Sequence, residues 1–220
     1  WLDLGFITIQ VSEISRFFIM IWICSFISKR DVNLSFNKCL LIVAILCAII
    51  LSQRDFGSAA LLIFTFFSLM FVAGLHLKKL FYYFTIVFII SIPLIIYQPY
   101  RLKRVISFMN PWDDPSGSGY QLIASLLAFG KGGFFGLGLG SSIQKLNYLP
   151  ESYNDFIFAL IAEELGLFFT LIIISLFMII FIRIIRLANK SIDNNMIFAS
   201  NLSFTIGFFI IYQALIHILV

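Results

Sequence analysis

"LIASLLAFGKGGFFGLGL" (Leu122–Leu139) is apolar enough to pass for a membrane-crossing segment, and whether it crosses decides the side of everything after it. Spanning a hydrocarbon core takes about 20 predominantly apolar residues. This run has nearly the length, but it carries Lys131 and a series of glycines, which weaken a helix and invite a bend. Six other apolar runs are candidates: Ile14–Ile27, Leu40–Leu51, Ser58–Leu75, Leu80–Tyr97, Phe156–Ile182 and Met196–Val220. The first two are short and are expected to need flanking residues or local thinning of the bilayer.

Charge decides the matter, because short cytoplasmic loops collect Lys and Arg. With six spans, Lys29, Arg30 and Lys38, then Lys78 and Lys79, then Arg183, Arg186 and Lys190 all fall on one side. A seventh crossing at Leu122–Leu139 would move the last cluster outward. The run is therefore expected to lie on, or dip into, the outer surface as a bent hairpin. The fold class is all-α: a polytopic helical membrane protein with about six transmembrane helices and one long extracytoplasmic loop, residues 98–155.

Composition agrees. The 220 residues are 61% hydrophobic and 12% charged, with a mean hydropathy of +1.03, whereas soluble domains run at roughly 45–50% apolar and about 25% charged. The net charge of +4 reads as topology rather than as a nucleic-acid footprint. Cys24, Cys39 and Cys47 sit in or beside apolar runs without metal-ligand spacing, which points to small buried hydrophobes. His76 and His217 are isolated in sequence. With no Met at its start and no loop after its last apolar run, the chain reads as an internal piece of a longer protein.

Loops as long as 98–155 are uncommon without a task. This one holds Arg101, Lys103, Arg104, Lys131 and Lys145 beside Asp113, Asp114, Glu151 and Asp155, with turn signals at "NPWDDPSGSG" (Asn110–Gly119). The cations could meet anionic headgroups or a diphosphate, for which Arg forks and Lys point charges are the usual partners. "GKGGFFGLGLGSS" (Gly130–Ser142) lacks the Gly-Lys-Ser/Thr of a P-loop. In "YLPESYNDFIFALIAEELG" (Tyr148–Gly166), Asp155 can serve as an acid at a helix N-terminus. Glu163 and Glu164 fall inside the span, where ionisable groups face the protein interior or a watery cavity. Asp155 and Glu164 are about 180° apart around a helix, so at most one of the glutamates shares the aspartate's face. Glu13 and Arg16, one turn apart, form a helix-end ion pair.

In order, "WLDLGFITIQVSE" (Trp1–Glu13), "SQRDFGSA" (Ser52–Ala59), "NPWDDPSGSGYQLIASLLAFGKGGFFGLGLGSSIQKLNYLPE" (Asn110–Glu151) and "NDFIFALIAEELG" (Asn154–Gly166) resemble the SEDS family, the shape, elongation, division and sporulation proteins of bacterial cell-wall synthesis. The resemblance covers essentially the whole chain, and "NPW", "GSGYQ" and "GLGSSIQKLNYLPE" are closest to the division, FtsW-like branch. It implies a ten-span membrane glycosyltransferase in the bacterial cytoplasmic membrane, at the division septum. Its substrate would be lipid II, the undecaprenyl-diphosphate-linked disaccharide pentapeptide, polymerised on the outer face, and its partner a class B penicillin-binding transpeptidase. The family's essential aspartate falls on Asp155. Tyr153-Asn154 stands where His-Thr is common, Gln53-Arg54-Asp55 where Gln-Pro-Asp is, and "QVSE" (Gln10–Glu13) where Gln-Pro-Ser-Glu is.

Glycan polymerisation needs a base to take a hydroxyl proton and positive charge to hold the leaving diphosphate. On this reading Asp155 is the base, and Arg101, Lys103, Arg104, Lys131 and Lys145 form the pool of diphosphate contacts. Glu151, Glu163 and Glu164 support them. No resident metal or cofactor is called for, and a divalent ion is left open. Two rivals belong to other classes: a lipid II flippase, which would place the important charges deep in the spans, and a non-catalytic division scaffold.

Overall fold

The computed structural model describes residues 2–3, 5, 8–53, 55–142 and 156–219. A two-residue antiparallel pair, β1 (Leu2–Asp3) with β2 (Thr8–Ile9), precedes an otherwise helical chain. The helices are α1 (Val11–Ser28), α2 (Val32–Ser52), α3 (Phe56–Val72), α4 (Leu77–Ile96), α5 (Pro99–Met109), α6 (Tyr120–Gly132), α7 (Ile157–Asp193) and α8 (Ile197–Leu219). A short 3-10 turn covers Pro111–Asp113.

Five helices, α1, α2, α4, α7 and α8, are long and apolar enough to cross a membrane, and α3 is a shorter apolar helix of 17 residues. These correspond to the six expected runs. The first two reach 18 residues in α1 and 21 in α2 by taking in flanking residues, as expected. Asp31 starts α2 by accepting from the backbone N–H groups of Asn33 at 2.7 Å and Leu34 at 3.2 Å, satisfying donors that a helix N-terminus leaves open. α7 also runs further than expected. Its 37 residues, at about 1.5 Å each, exceed a core of ~30 Å, so Arg183, Arg186 and Lys190 sit on helix rather than in a loop.

The chain divides into two compact units. In the first, Trp1–Phe84 with Ile179–Gln213, α1, α2 and α3 pack through Ile23, Phe36, Ile50, Leu61, Leu62, Phe66 and Leu69, all essentially inaccessible. The rings of Phe36 and Phe66 stack with centroids 5.9 Å apart. The three cysteines are buried and free, as expected. Cys24 Sγ lies 3.2 Å from Thr205 Oγ1 and Ser68 Oγ 2.6 Å from Tyr212 Oη, which ties α8 to α1 and α3. His76 is not isolated: its backbone and ring nitrogens both meet the Asn33 side chain, and Lys79 donates to the Asn33 carbonyl at 2.7 Å. Large apolar residues such as Phe18, Leu41 and Phe81 are exposed, the arrangement expected where the solvent is lipid tails.

The second unit comprises Thr85–Met178 and Ala214–Val220. The Leu122–Leu139 run becomes α6, whose 13 residues are too few to span, followed by glycine-rich turns. This agrees with a bent element that does not cross.

Candidate functional site

Small residues let α6 approach the first part of α7. Ala124 and Ala128 are buried against Phe156 and Ala159. One turn further along α6, Gly132 has no room for a side chain, since a Cβ there would lie 1.9 Å from the carbonyl oxygen of Ala162. Ala124, Ala128 and Gly132 meet α7 in the same order along both helices. The two therefore run parallel, with α6 beside the first part of α7.

Where α6 ends, α7 breaks. Gly166 has φ 78° and ψ 176°, a region essentially confined to glycine. An uninterrupted helix would pair the Leu167 N–H with the Glu163 carbonyl, and Phe168 with Glu164. Instead, Leu167 donates to Gly133 O at 3.0 Å and Phe168 to Phe134 O at 3.2 Å, while the Glu163 and Glu164 carbonyls accept from Leu137 at 2.9 Å and Gly138 at 3.0 Å. Four bonds to the loop stand in for two within the helix. Gly166 lies about 15 Å along the helix from Phe156, a depth at which irregular backbone is tolerated only when its polar groups are satisfied by protein or water. The loop supplies that satisfaction.

Two acids lie beside the break. Glu163 is fully buried and Glu164 nearly so. The buried Ser142 hydroxyl donates to Glu163 Oε2. Their role as internal partners thus has a named component, and the sequence did not indicate Ser142. A helix of regular pitch leaves the two side chains facing different directions, but the protein covers both.

The basic pool separates into individual roles. Arg101 Nη1 donates to the Leu94 carbonyl at 2.8 Å, closing the last turn of α4. The guanidinium of Arg104 lies 5.0 Å from the Tyr100 ring centroid. Lys103 acts electrostatically on Asp114, and Lys131 is exposed in the last turn of α6. Asp114 accepts from the backbone N–H of Ser118 at 3.0 Å and from its hydroxyl. Those bonds, with the Lys103 charge, hold its carboxyl below the usual carboxylate range. Asp113 accepts from Asn110 Nδ2 at 2.7 Å. These outer acids shape the turn. Lys145, Glu151, Asp155 and the Tyr153-Asn154 pair lie outside the described residues.

A second polar group, in the first unit, involves residues that the sequence reading left as motif matches. Asp55 accepts from the Ser58 N–H at 2.9 Å, capping α3, and from Gln10 Nε2 at 3.0 Å. Arg16 is 3% exposed, sits 4.0 Å from Glu13 and within electrostatic reach of Asp55, and lies over the Phe209 ring at 5.6 Å. The expected Glu13–Arg16 pair is present, but its arginine is inside the protein. Arg16 Nε has no hydrogen-bond partner among the described residues. Gln10 and Asp55 each fall in a stretch that carried the family resemblance, which was the signal available for them. No cluster of three metal-binding side chains occurs among the described residues.

Comparison with known proteins identifies what these features are shared with. The FtsW/RodA/SpoVE family, described as "Cell cycle protein", matches residues 1–220. A probable peptidoglycan glycosyltransferase FtsW of Coxiella burnetii is 40% identical over 99% of the chain and 60% of its own length. A protein of the same description from Buchnera aphidicola is 38% identical over 99% of the chain and 63% of its own. The chain thus spans about 60% of the length of these curated relatives. Among solved structures, a chain from work on polymerisation and crosslinking by a peptidoglycan synthase complex superposes with a TM-score of 0.63. It covers 94% of this chain and 59% of its own at 22% identity, a likeness of fold.

Proposed function

The chain belongs to the FtsW/RodA/SpoVE family of cell cycle proteins, and on that premise we propose that it acts in a peptidoglycan glycosyltransferase of the division branch, polymerising lipid II at the outer face of the bacterial cytoplasmic membrane. The observation that carries this is the 40% identity to a relative named for that activity, over nearly all of this chain. In the reaction, an acceptor sugar hydroxyl attacks the anomeric carbon of a second lipid-linked glycan. The new glycosidic bond forms as the bond to the lipid diphosphate breaks. Asp155 takes the hydroxyl proton, and cations of the outer segment hold the departing diphosphate.

What supports this assignment is the anchoring on either side of Asp155 in the sequence. Phe156 packs against Ala124 and Ala128, and Ser142 is hydrogen-bonded to Glu163. Of the diphosphate pool, Lys103, Arg104, Lys131 and Lys145 are the stronger members, because Arg101 is engaged at the end of α4. Glu151, Glu163 and Glu164 are supporting residues. The partner on this reading is a class B penicillin-binding transpeptidase, and the site of action is the septum. No resident cofactor is needed, and chelation in the polymerisation assay decides whether a divalent ion assists.

The test is lipid II polymerisation by the full-length protein with its transpeptidase. A general base contributes roughly 10²–10⁴-fold, so Asp155→Asn should nearly abolish glycan synthesis while complex formation persists. Near wild-type glycan synthesis by that variant overturns the assignment. The buried ionisable side chains of Arg16 and Glu163 are what a lipid II flippase would use. That rival predicts lipid II changing leaflets without lengthening, and the scaffold rival predicts neither.

A further inference from the structure

The connection from α4 to α5 is two residues long, Tyr97 and Gln98, and Gln98 is extended at φ −107° and ψ 104°. The chain therefore turns instead of continuing α4 outward. Arg101, in the first turn of α5, reaches back to the Leu94 carbonyl at 2.8 Å. That bond fixes the start of α5 at the level of the last turn of α4. α4 is long and apolar enough to cross a membrane, and read as a span its end at Leu94–Ile96 lies near the boundary between acyl chains and headgroups. α5 begins at that boundary.

At ~100° per residue, Leu102, Val105, Ile106 and Met109 occupy an arc of roughly 100° on α5, centred about 150° from Ser107. Ser107 is the one buried residue of the helix, its hydroxyl 2.6 Å from that of Ser118. The apolar stripe thus points away from the protein, and its exposure rises from 37% at Leu102 to 82% at Met109. Arg101 and Lys103 flank it on opposite sides, each roughly 90–110° from its centre. Arg104 lies further round, and α5 has no acidic residue. An apolar stripe bordered by cations is the pattern of a helix lying in the plane of a membrane interface, the apolar residues among the upper acyl chains and the cations at the phosphates.

We propose that α5 is an interfacial anchor: its Leu102–Val105–Ile106–Met109 face docks on the outer leaflet, and Lys103, at the edge of that face, reads the anionic headgroups of its phospholipids. The occupant is the bilayer. The flanking positive charge is complementary to that surface, and the site continues the apolar surface of α4. Lys103 is shared with the proposed diphosphate pool, so the inference is tested by membrane contact with no lipid diphosphate present. It would also place the start of the long outer segment at a fixed height above the membrane.

The experiment uses the full-length protein in vesicles of phosphatidylethanolamine and phosphatidylglycerol that contain no polyprenyl diphosphate, so the substrate cannot be what binds. An environment-sensitive probe is attached at Ile106→Cys and, for comparison, at Asp113→Cys in the exposed turn. Lipids carrying a nitroxide near the headgroup should quench the probe at 106 at least about threefold more than that at 113, with aqueous iodide giving the reverse order. If the probe at 106 is as open to iodide as the one at 113, or shielded from both quenchers by protein, the proposal is overturned. Met109→Cys, on the same stripe and more exposed, gives the same readout should Ile106→Cys not fold. Replacing phosphatidylglycerol by neutral phosphatidylcholine, or Lys103 by Gln, should reduce lipid quenching at the stripe. Unchanged quenching in both overturns the electrostatic part.

Discussion

The packed trio α1–α3 and the α6–α7 pair bury polar groups in opposite ways. In the trio the helices are uninterrupted, and polar side chains do the work: Asp55 caps α3 and holds Gln10, and Arg16 lies inside with Glu13 and Asp55 in electrostatic reach. In the pair the backbone itself gives way. α7 opens at Gly166 and bonds to the loop after α6, with Glu163 closing onto Ser142. Side chains can be exchanged one at a time at modest cost. A broken backbone depends on every neighbour that replaces its lost bonds, so the second region should tolerate less change.

Substitution at the break is the severest test of that contrast. Gly166→Ala places a Cβ 2.3 Å from the Gly136 nitrogen at a backbone conformation other residues avoid. It should destabilise the protein by about 3 kcal/mol or more, read as a lowered thermal midpoint in detergent. Gly130→Ala, a helical position with nothing within 4 Å, should be neutral or stabilising by up to about 1 kcal/mol. Equal effects would show that the break imposes no constraint beyond that of an ordinary helical glycine.

Next in size is Glu163→Ala, which removes a buried hydrogen bond from the Ser142 hydroxyl. A loss of about 2 kcal/mol is expected when a buried acceptor is removed, with Glu163→Gln, which can still accept, recovering part of it. In the trio, Asp55→Ala should cost about 1 kcal/mol through the lost cap. A larger loss there than at Glu163 would reverse the ranking. The smallest effect is expected at Asp114, whose carboxyl titrates below its ordinary value of 3.8 when folded. A depressed folded value contributes stability above the unfolded value, and this is lost as pH falls through the folded one. The outer turn should therefore loosen only below about pH 4, and Asp114→Asn should flatten that response in a probe attached at Ser116.

Much of the fold was legible because membrane crossing is a matter of length, apolarity and flanking charge, which are properties of consecutive residues. The six spans, the burial of the three cysteines and the failure of Leu122–Leu139 to cross could all be read that way. The true extents of α1 and α2 could not, since capping residues such as Asp31 look like loop until they are seen to hold a helix start. α5 was equally hidden: in "YRLKR" (Tyr100–Arg104) charge draws the eye, and the apolar stripe appears only once a helix sets the angles. At the candidate site, Asp155 was singled out by position and by resemblance, and the basic residues only as a pool.

By itself, then, the sequence determined the membrane class and the family, because each follows from local composition or from ordered motifs. Tertiary structure alone decided that Glu163 meets Ser142 across 21 positions, that Gln10 meets Asp55 across 45, and that α7 opens at Gly166. The physical reason is the same in all three cases. A buried polar group must find a partner, and where the partner lies depends on how distant segments pack, which no window of neighbouring residues contains.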